Sequence, residues 1–343
     1  MTDHAAALLA VATPEQLRGL RLESIFMPEG RRQRDALYKA NPNPRFVHYT
    51  RAEAALEIIN KKRLWLRNTT AMVDYREIHH GFSLLHSWFA VPGNMEKFIA
   101  VFDSIHPGAA REAIDSFNRF WTSTDIGVQT QTYISSISEH DSSEVEHGRL
   151  SMWRAFGADA PARVALVFRV PPFSGAVEFL QCIFSPVTYL NEASAHAIFA
   201  EVLINAENER EFLRAVSYEE IRNLIFFSFV VASTCVKHEG FKEEREWRIV
   251  YLPGYYPPMN PPRIESEVKC LSGVPQIVFK FPLDASVAPE IAAIDIAAMF
   301  DRLIIGPSRY PWVMYEAFKR TLEQAGVSDP GAKIITSSIP IRS

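Results

Sequence analysis

Residues 244–252 read Glu-Arg-Glu-Trp-Arg-Ile-Val-Tyr-Leu, a stretch in which charged and bulky side chains alternate. Side chains on a β-strand point to its two faces in turn, so the spacing predicts a strand with one charged and one apolar face. The charged face carries Glu244, Glu246 and Arg248, and the apolar face carries Trp247, Ile249 and Tyr251. A carboxylate at the edge of a buried strand can stabilise a developing cation, although an ion-pair network on a solvated strand fits the same spacing.

Two more predicted strands carry polar side chains where a core strand would be apolar. The first follows a turn-rich boundary at residues 41–44 and precedes a helix, and the second covers residues 132–138. In the second strand, alternation gives two serines a common face. A structural histidine and an ordinary half-exposed strand explain the same residues, so each segment alone is weak evidence. The polar residues are His48, Tyr49 and Thr50 in the first strand and Tyr133, Ser136 and Ser138 in the second, with Trp153 in a helical turn that follows.

The remaining elements predict an α+β fold rather than a doubly wound one. Helical and strand-like runs do not alternate in a regular βαβ order, and neither a dinucleotide-binding nor a P-loop glycine motif is present. We expect an N-terminal helical segment at residues 1–44 and a single domain at residues 45–343, with a helical insertion at about residues 193–236. Further strands are expected at residues 64–67, 164–170, 248–252, 276–281, 302–305 and 333–336, and further helices at residues 72–101 and 311–324.

Composition restricts the class of protein. The 343 residues are 48% hydrophobic and 22% charged, as in ordinary globular domains, and the net charge of −4 gives no overall attraction to nucleic acid or to an anionic membrane. Three cysteines without a Cys-x-x-Cys pair suggest neither a disulfide framework nor a zinc ribbon. No export signal or membrane-spanning segment is recognisable, so a cytoplasmic protein is expected. His79 and His80 are adjacent and diverge on a helix, so no metal site is expected.

The order of these motifs resembles a widespread bacterial family labelled as a domain of unknown function and often found near phage-defence genes. Its pattern is H-Y-T, then L-W, then a Ser-x-Ser strand with D and M-W, then F-x-x-E-x-E-W-R. The resemblance covers roughly residues 45–342, and one departure is Val73-Asp74, where the family usually has Asn-Asp. Here the motifs are His48-Tyr49-Thr50, Leu64-Trp65, Ser136-x-Ser138 with Asp141, Met152-Trp153 and Phe241-x-x-Glu244-x-Glu246-Trp247-Arg248.

That family in turn resembles the ADP-ribosyltransferase superfamily, in which a first-strand His or Arg, a middle Ser or Tyr motif and a late-strand Glu surround NAD. The resemblance implies mostly antiparallel sheets split around an NAD cleft, with His48 and Glu246 both facing that cleft. It makes Glu246 the carboxylate that stabilises oxocarbenium character, and Glu244 the residue that positions the acceptor. The implied NAD-binding residues are His48, Tyr49, Thr50 at a helix N-terminus, Arg67 on the pyrophosphate, Ser136 and Ser138 beside the nicotinamide, and Tyr133 or Trp153 stacked on its ring.

Transfer of ADP-ribose from NAD to a macromolecule, with release of nicotinamide, is the function that the resemblance implies. NAD is the consumed substrate, the acceptor is a nucleic acid (RNA or DNA) or a protein, and the setting is a toxin or antiphage effector with an antitoxin protein as a further partner. Two basic clusters, residues 61–63 and the trio Arg31, Arg32 and Arg34, could form a groove for nucleic acid. The alternatives are an NAD glycohydrolase, in which water replaces the acceptor, and a non-catalytic sensing or binding module in phage defence.

Overall fold

The computed structural model describes residues 13–71, 75–123, 131–156, 162–171, 175–256, 261–271 and 273–340. It is a mixed α+β structure with one large, mostly antiparallel sheet, which confirms the predicted fold class at this level. The departure from the family pattern at Val73-Asp74 lies outside the described residues. The helices are α1 (Pro14–Phe26), α2 (Pro28–Ala40), α3 (Ala52–Lys61), α4 (Tyr75–Ala90), α5 (Asn94–Asp103), α6 (Ala109–Thr122), α7 (Leu150–Ala155), α8 (Ala176–Phe179), α9 (Glu192–Asn208), α10 (Arg210–Arg214), α11 (Tyr218–Thr234), α12 (Ile296–Met299) and α13 (Pro311–Gln324). The strands are β1 (Arg45–Arg51), β2 (Arg63–Asn68), β3 (Tyr133–His140), β4 (Arg163–Arg169), β5 (Cys182–Pro186), β6 (Thr188–Tyr189), β7 (Val236–Lys237), β8 (Glu246–Tyr251), β9 (Glu265–Leu271), β10 (Val274–Pro282), β11 (Phe300–Ile305) and β12 (Ile334–Thr336).

Within these ranges, ten strands form one sheet around β3. On one edge β3 pairs with β1 and then with β2, and on the other edge it pairs with β8, which also pairs with β5. The sheet continues beyond β1 through β4, β11 and β12, and beyond β2 through β10 and β9. Neighbouring strands are antiparallel except β11 and β12. Strands β6 and β7 form a separate parallel pair.

Helices cover both faces of the sheet. On one face, which we call face 1, residues of α4, α5, α6 and α11 pack against Ile134 and Val250 of the sheet. On the other, face 2, residues of α3 and α13 pack with Leu166 and Leu303. The apolar periodicity of α4, α6 and α11 predicts such burial, since these helices place aromatic and aliphatic side chains on the side that meets the strands. Each strand residue can therefore be assigned to face 1 or face 2 by its alternation along the strand.

Gly81 of α4 lies directly against the backbone of α11. A Cβ at this position would lie 2.5 Å from the carbonyl oxygen of Ala232 and 2.7 Å from that of Ser233. Because both obstacles are backbone, the helices would have to separate, and we expect Gly81→Ala to lower the free energy of unfolding by about 1–3 kcal/mol. Urea unfolding checks this, with Gly19→Ala in α1 as the control.

Gly19 and Gly81 both lie within helices, but an added Cβ at Gly19 would meet no atom of a neighbouring element within 4 Å. Alanine is the better helix former, so Gly19→Ala should raise stability by roughly 0.5–1 kcal/mol. Equal effects of the two substitutions would contradict the close helix contact.

Candidate functional site

The sheet opens where β1 and β2 share one edge of β3. β1 pairs with β3 at Arg45–Val47 only, and β2 pairs with it at Arg67 and Asn68. Residues 135–137 of β3 therefore face a gap on this edge, and a backbone carbonyl there needs another partner. That partner is His48, whose Nδ1 lies 3.0 Å from the carbonyl oxygen of Ser136. The predicted polar residue of β1 thus sits in the opening of the sheet.

The bond to Ser136 fixes the tautomer of His48. A carbonyl oxygen only accepts, so Nδ1 carries the proton and Nε2 keeps a lone pair. Burial lowers the pKa of His48, and the hydrogen bond to Ser136 opposes that effect only in part, so the ring is neutral at pH 7. Among the described residues no group donates to Nε2. His48 therefore offers one hydrogen-bond acceptor to a donor such as a hydroxyl group.

Glu246, the first residue of β8, lies in a buried ion-pair cluster. Its Oε1 accepts from Arg248 Nε at 2.8 Å, and its Oε2 lies 2.8 Å from Lys237 Nζ. Lys237 also donates to Glu244 Oε2 at 2.6 Å. Burial would raise the pKa of Glu246, but Arg248 and Lys237 outweigh it and hold the pKa at about 2. The carboxylate is therefore ionised at neutral pH.

Glu244 and Glu246 do not belong to one strand face, because β8 begins at Glu246. Glu244 ends a short 3-10 turn, and Arg245 between the two has a left-handed backbone with φ of 46°. The carboxylates of Glu244 and Glu246 nevertheless lie close together, because Lys237 forms an ion pair with each of them. Of the two interpretations of the Glu-x-Glu segment, the structure has the ion-pair network, but it is buried rather than solvated.

The strand register decides which predicted residues face each other. Ser138 lies directly opposite Glu246, and Ser136 directly opposite Arg248, so all four share face 1. The predicted common face of the two serines is therefore correct. His48 lies opposite Leu166 of β4 and belongs to face 2. The expectation that the His48 ring and the Glu246 carboxylate face one cleft is wrong for this conformation, because strand alternation turns them to different faces.

The predicted aromatic residues are buried by their own neighbours. Trp153 is fully buried, its ring meets Tyr49 edge-on at 4.8 Å, and its indole nitrogen donates to the carbonyl of His147 at 2.7 Å. Tyr49 is buried too, and its hydroxyl accepts from the backbone nitrogen of Arg149 at 2.7 Å. Neither ring has an open side for a nicotinamide, so the expected stacking on Trp153 would need the core to open.

Tyr133, the other predicted stacking residue, also packs inside the molecule. Its ring meets Phe279 at a centroid distance of 4.5 Å, and 6% of the residue is exposed. It lies on face 2, the face of His48, because it is an odd-numbered residue of β3 like its neighbour Ser135.

Arg67 lies beside the gap, where it pairs with Ile134, whereas Thr50 pairs with Val164 on the other edge of β1. The helix α3 begins after Arg51, which is its N-cap residue and has no side-chain capping bond, so the expected placement of Thr50 at a helix N-terminus is corrected by one residue. Arg67 donates to Gln276 Oε1 at 3.2 Å and to the carbonyl of Ala71 at 3.0 Å. Burial, and then the charge of Arg51, lower the pKa of Arg67.

Lys237 is a residue of the candidate site that was not predicted from the sequence. It is buried, with 2% of its side chain exposed, directly after the apolar helix α11. The signal is an isolated lysine that follows a long apolar segment, since such a lysine is buried only when acids accompany it. Tyr189 is the second missed residue, and its hydroxyl accepts from the backbone nitrogen of Glu246 at 2.9 Å.

One of the two basic clusters considered for nucleic acid is neutralised by acids. Arg31 bonds Asp35, Arg32 bonds Glu29 and Glu201, and Arg34 bonds Glu23. This trio on α2 thus ties α2 to its neighbours and offers little free positive charge. In the second cluster, Arg63 lies 3.6 Å from Asp284.

Two further features concern metals and membranes. In the described part of the chain, no group of three or more His, Cys, Asp or Glu side chains is arranged to hold a metal ion. His80 instead lies 3.2 Å from the carbonyl oxygen of Leu190, and His79 packs against Trp121. Every described helix is too short or too polar to cross a bilayer.

A family model described as "Protein of unknown function (DUF2971)" matches residues 152–249. The matched segment runs from α7 through β4, β5 and α11 to β8, and so contains Trp153, Lys237 and Glu246. Similarity to a family of unknown function is therefore confirmed over this segment, which is well under half of the chain. No curated protein and no solved structure matches.

Proposed function

We propose that the protein transfers ADP-ribose from NAD to a macromolecular acceptor, and that NAD binds at the gap between β1 and β2. One observation carries the proposal: His48, Ser136 and Glu246 come from three neighbouring strands, β1, β3 and β8, beside the only part of β3 that both β1 and β2 leave unpaired in the described ladder. This is the order of motifs that the resemblance to ADP-ribosyltransferases requires. The split in an otherwise continuous sheet supports a cleft at that point.

In this reaction the bond between the nicotinamide nitrogen and the ribose carbon breaks, and nicotinamide leaves with the bonding electrons. The acceptor then bonds to the ribose carbon and loses its proton. His48 Nε2, as an acceptor, would hold a ribose hydroxyl and so orient NAD. Glu244, with 23% of its side chain exposed, would take the proton of the acceptor in this proposal.

Glu246 contributes a fixed negative charge in this proposal. Arg248 and Lys237 keep it ionised but also compensate its charge, so it would stabilise the positive charge that develops on the ribose only after a rearrangement that turns it toward NAD. Direct contact with a ribose hydroxyl would require one of these two cations to release its oxygen atom. The carboxylate is therefore a poor site for a first mutational test, because its removal also disturbs the fold.

His48 is the better residue to test. Replacement by Asn and by Gln tests the roles of its two ring nitrogen atoms separately. In His48→Asn the amide can replace Nδ1 and keep the bond to the Ser136 carbonyl, whereas in His48→Gln the amide reaches the position of Nε2. If Nε2 holds NAD, we expect His48→Asn to raise KM for NAD roughly tenfold and His48→Gln to raise it less. Nicotinamide release from NAD, with labelled ADP-ribose followed in a cell extract, measures both.

The outcome of this experiment has three interpretations. Labelled macromolecule together with nicotinamide supports transfer, and nicotinamide without labelled macromolecule selects the glycohydrolase. An unchanged KM in both His48 variants contradicts the placement of NAD at the gap, even if the protein consumes NAD. Thermal unfolding of the variants is the control for folding.

A non-catalytic binding module is the second candidate, and one observation favours it. Both oxygen atoms of Glu246 are held by Arg248 and Lys237 inside the protein, which is the arrangement of a structural ion pair. The absence of nicotinamide release in the presence of several acceptor pools would select this candidate.

A further inference from the structure

Three arginines meet one carboxylate at the end of the sheet where β1 begins. Asp301 Oδ2 accepts from Arg45 Nε and from Arg302 Nε, each at 2.9 Å, and Asp301 Oδ1 accepts from Arg169 Nε at 2.7 Å. The Asp301 side chain is 7% exposed, whereas the arginine side chains are 22–40% exposed. Three guanidinium groups against one carboxylate leave an excess of two positive charges.

The geometry leaves the outer ends of two guanidinium groups available. Arg45 and Arg169 use Nε for Asp301, and no described residue accepts from their Nη atoms. Arg302 gives one Nη bond of 3.3 Å to the carbonyl of Val145. A guanidinium has a planar fork of donors that fits the oxygen atoms of a phosphate group. Asp301 therefore orients Arg45 and Arg169 through their Nε atoms, and the Nη atoms remain available to another acceptor.

The backbone is shaped to bring these residues together. Arg45 lies directly opposite Arg169 on β4 and opposite His140 on β3, so the three occupy one row on face 1. The register of β11 against β4 shifts between Phe300 and Arg302, so Asp301 has no partner on β4 and its side chain bonds Arg45 and Arg169 of that row instead. Like charges directly opposite each other on neighbouring strands destabilise a sheet. Asp301 offsets part of this repulsion, and a bound anion would offset the rest.

His140 supplies a second observation, independent of the arginines. Its side chain is fully buried in the same row, and neither ring nitrogen has a hydrogen-bond partner among the described residues. The nearest acid, Glu144, lies 3.8 Å away and is bonded by Arg149 at 2.8 Å. A buried polar group without a partner is uncommon in a folded protein, and its place beside three arginines marks this end of the sheet as an incomplete polar site.

We propose that Arg45, Arg169 and Arg302, held by Asp301, bind a phosphate dianion. The site does not depend on the proposed NAD chemistry, because it lies at the start of β1 and uses none of the residues assigned to that reaction. The dianion is either a free or small-molecule phosphate or the terminal phosphate of a nucleic acid, since both present the same oxygen atoms to the arginine forks.

The test compares wild type with Arg169→Gln, using inorganic phosphate as the probe at constant ionic strength with chloride as the reference anion. We expect phosphate to raise the Tm of the wild type in a saturable way, and Arg169→Gln to bind phosphate at least about tenfold more weakly by calorimetry. Arg45 and Arg302 still bond Asp301 in Arg169→Gln, so the variant should stay folded, and its Tm in chloride is the reference for its response to phosphate. A residue with only a structural role would change this reference Tm but leave the affinity for phosphate unchanged.

The matched control is Arg214→Gln, which removes an exposed arginine paired with Glu211 on α10 and should leave the response to phosphate unchanged. A dinucleotide with a 5′-phosphate that binds more tightly than inorganic phosphate assigns the site to a nucleic-acid end, and equal affinities assign it to a free or small-molecule phosphate. The proposal is overturned if Arg169→Gln keeps the wild-type response, or if phosphate leaves the Tm of the wild type unchanged relative to chloride.

Discussion

Replacement of Glu246 by alanine is expected to lower the free energy of unfolding by about 3–5 kcal/mol, because it removes the carboxylate that two buried cations share. Arg248 and Lys237 are each 2% exposed in their side chains, so water cannot replace the lost partner without disturbing the core. Urea unfolding followed by circular dichroism measures the change. Native proteins are only marginally stable, so a loss of this size should greatly increase the unfolded fraction of the protein.

The control for this prediction is Glu243→Ala, three residues earlier. Glu243 is exposed and its carboxylate accepts from Ser151 at 2.7 Å, so its removal should change stability by less than about 1 kcal/mol. Similar losses for the two variants would mean that the Glu246 cluster is solvated, contrary to the structure.

The Glu246 carboxylate should also make the free energy of unfolding depend on pH in acid. Its pKa is lowered from 4.5 to about 2, so its contribution to stability is present above about pH 4.5 and is lost as the pH falls through about 2. The size of the shift corresponds to about 3 kcal/mol. In Glu246→Ala this part of the acid dependence should be absent, which unfolding curves at several pH values between 2 and 5 would reveal.

The second large effect is expected for Trp153→Ala, which should lower the free energy of unfolding by about 3–5 kcal/mol. The ring is fully buried, and it fits between Gly148 and Gly306 so closely that a Cβ on either glycine would lie within 3 Å of it. Alanine would leave a cavity and remove one of the two donors to the His147 carbonyl, which keeps its bond from the Ser337 hydroxyl. Denaturant unfolding checks the loss.

Trp312→Ala provides the matched control, because the same residue type is 76% exposed at the start of α13. Its replacement should change the free energy of unfolding by less than about 0.5 kcal/mol. If Trp153 instead stacked on a ligand from an open position, its replacement would leave the fold stable and affect ligand binding alone.

Local patterns predicted the elements with strong periodicity. The helix at residues 311–324 is α13 to the residue, since Pro311 occupies its first turn and the apolar spacing continues to Leu322. The strands β1 and β2 were also predicted. β9 was missed, because its sequence Glu-Ser-Glu-Val-Lys-Cys-Leu has few apolar residues, and pairing with β10 rather than intrinsic preference makes it a strand.

The candidate site could be predicted only in part, because some of its features are local and others depend on long-range pairing. Alternation within one strand is a local property, so the common face of Ser136 and Ser138 and that of Glu246 and Arg248 could be inferred from the sequence. Which face of β1 meets which face of β8 depends on the register of β3 between them. That register is a long-range property, and the placement of His48 on face 2 therefore appeared only in the structure.

The partners of the central strands are far apart along the chain, and this has a consequence for how the molecule assembles. Arg67 of β2 pairs with Val278 of β10, and more than half of the chain lies between them. The entropy of closing such a long segment must be overcome before its contacts form, so folding should be slow compared with that of helical bundles. During synthesis, the edge of β2 that pairs with β10 stays unpaired until β10 has emerged, and an unpaired strand edge of this kind exposes a nascent chain to aggregation.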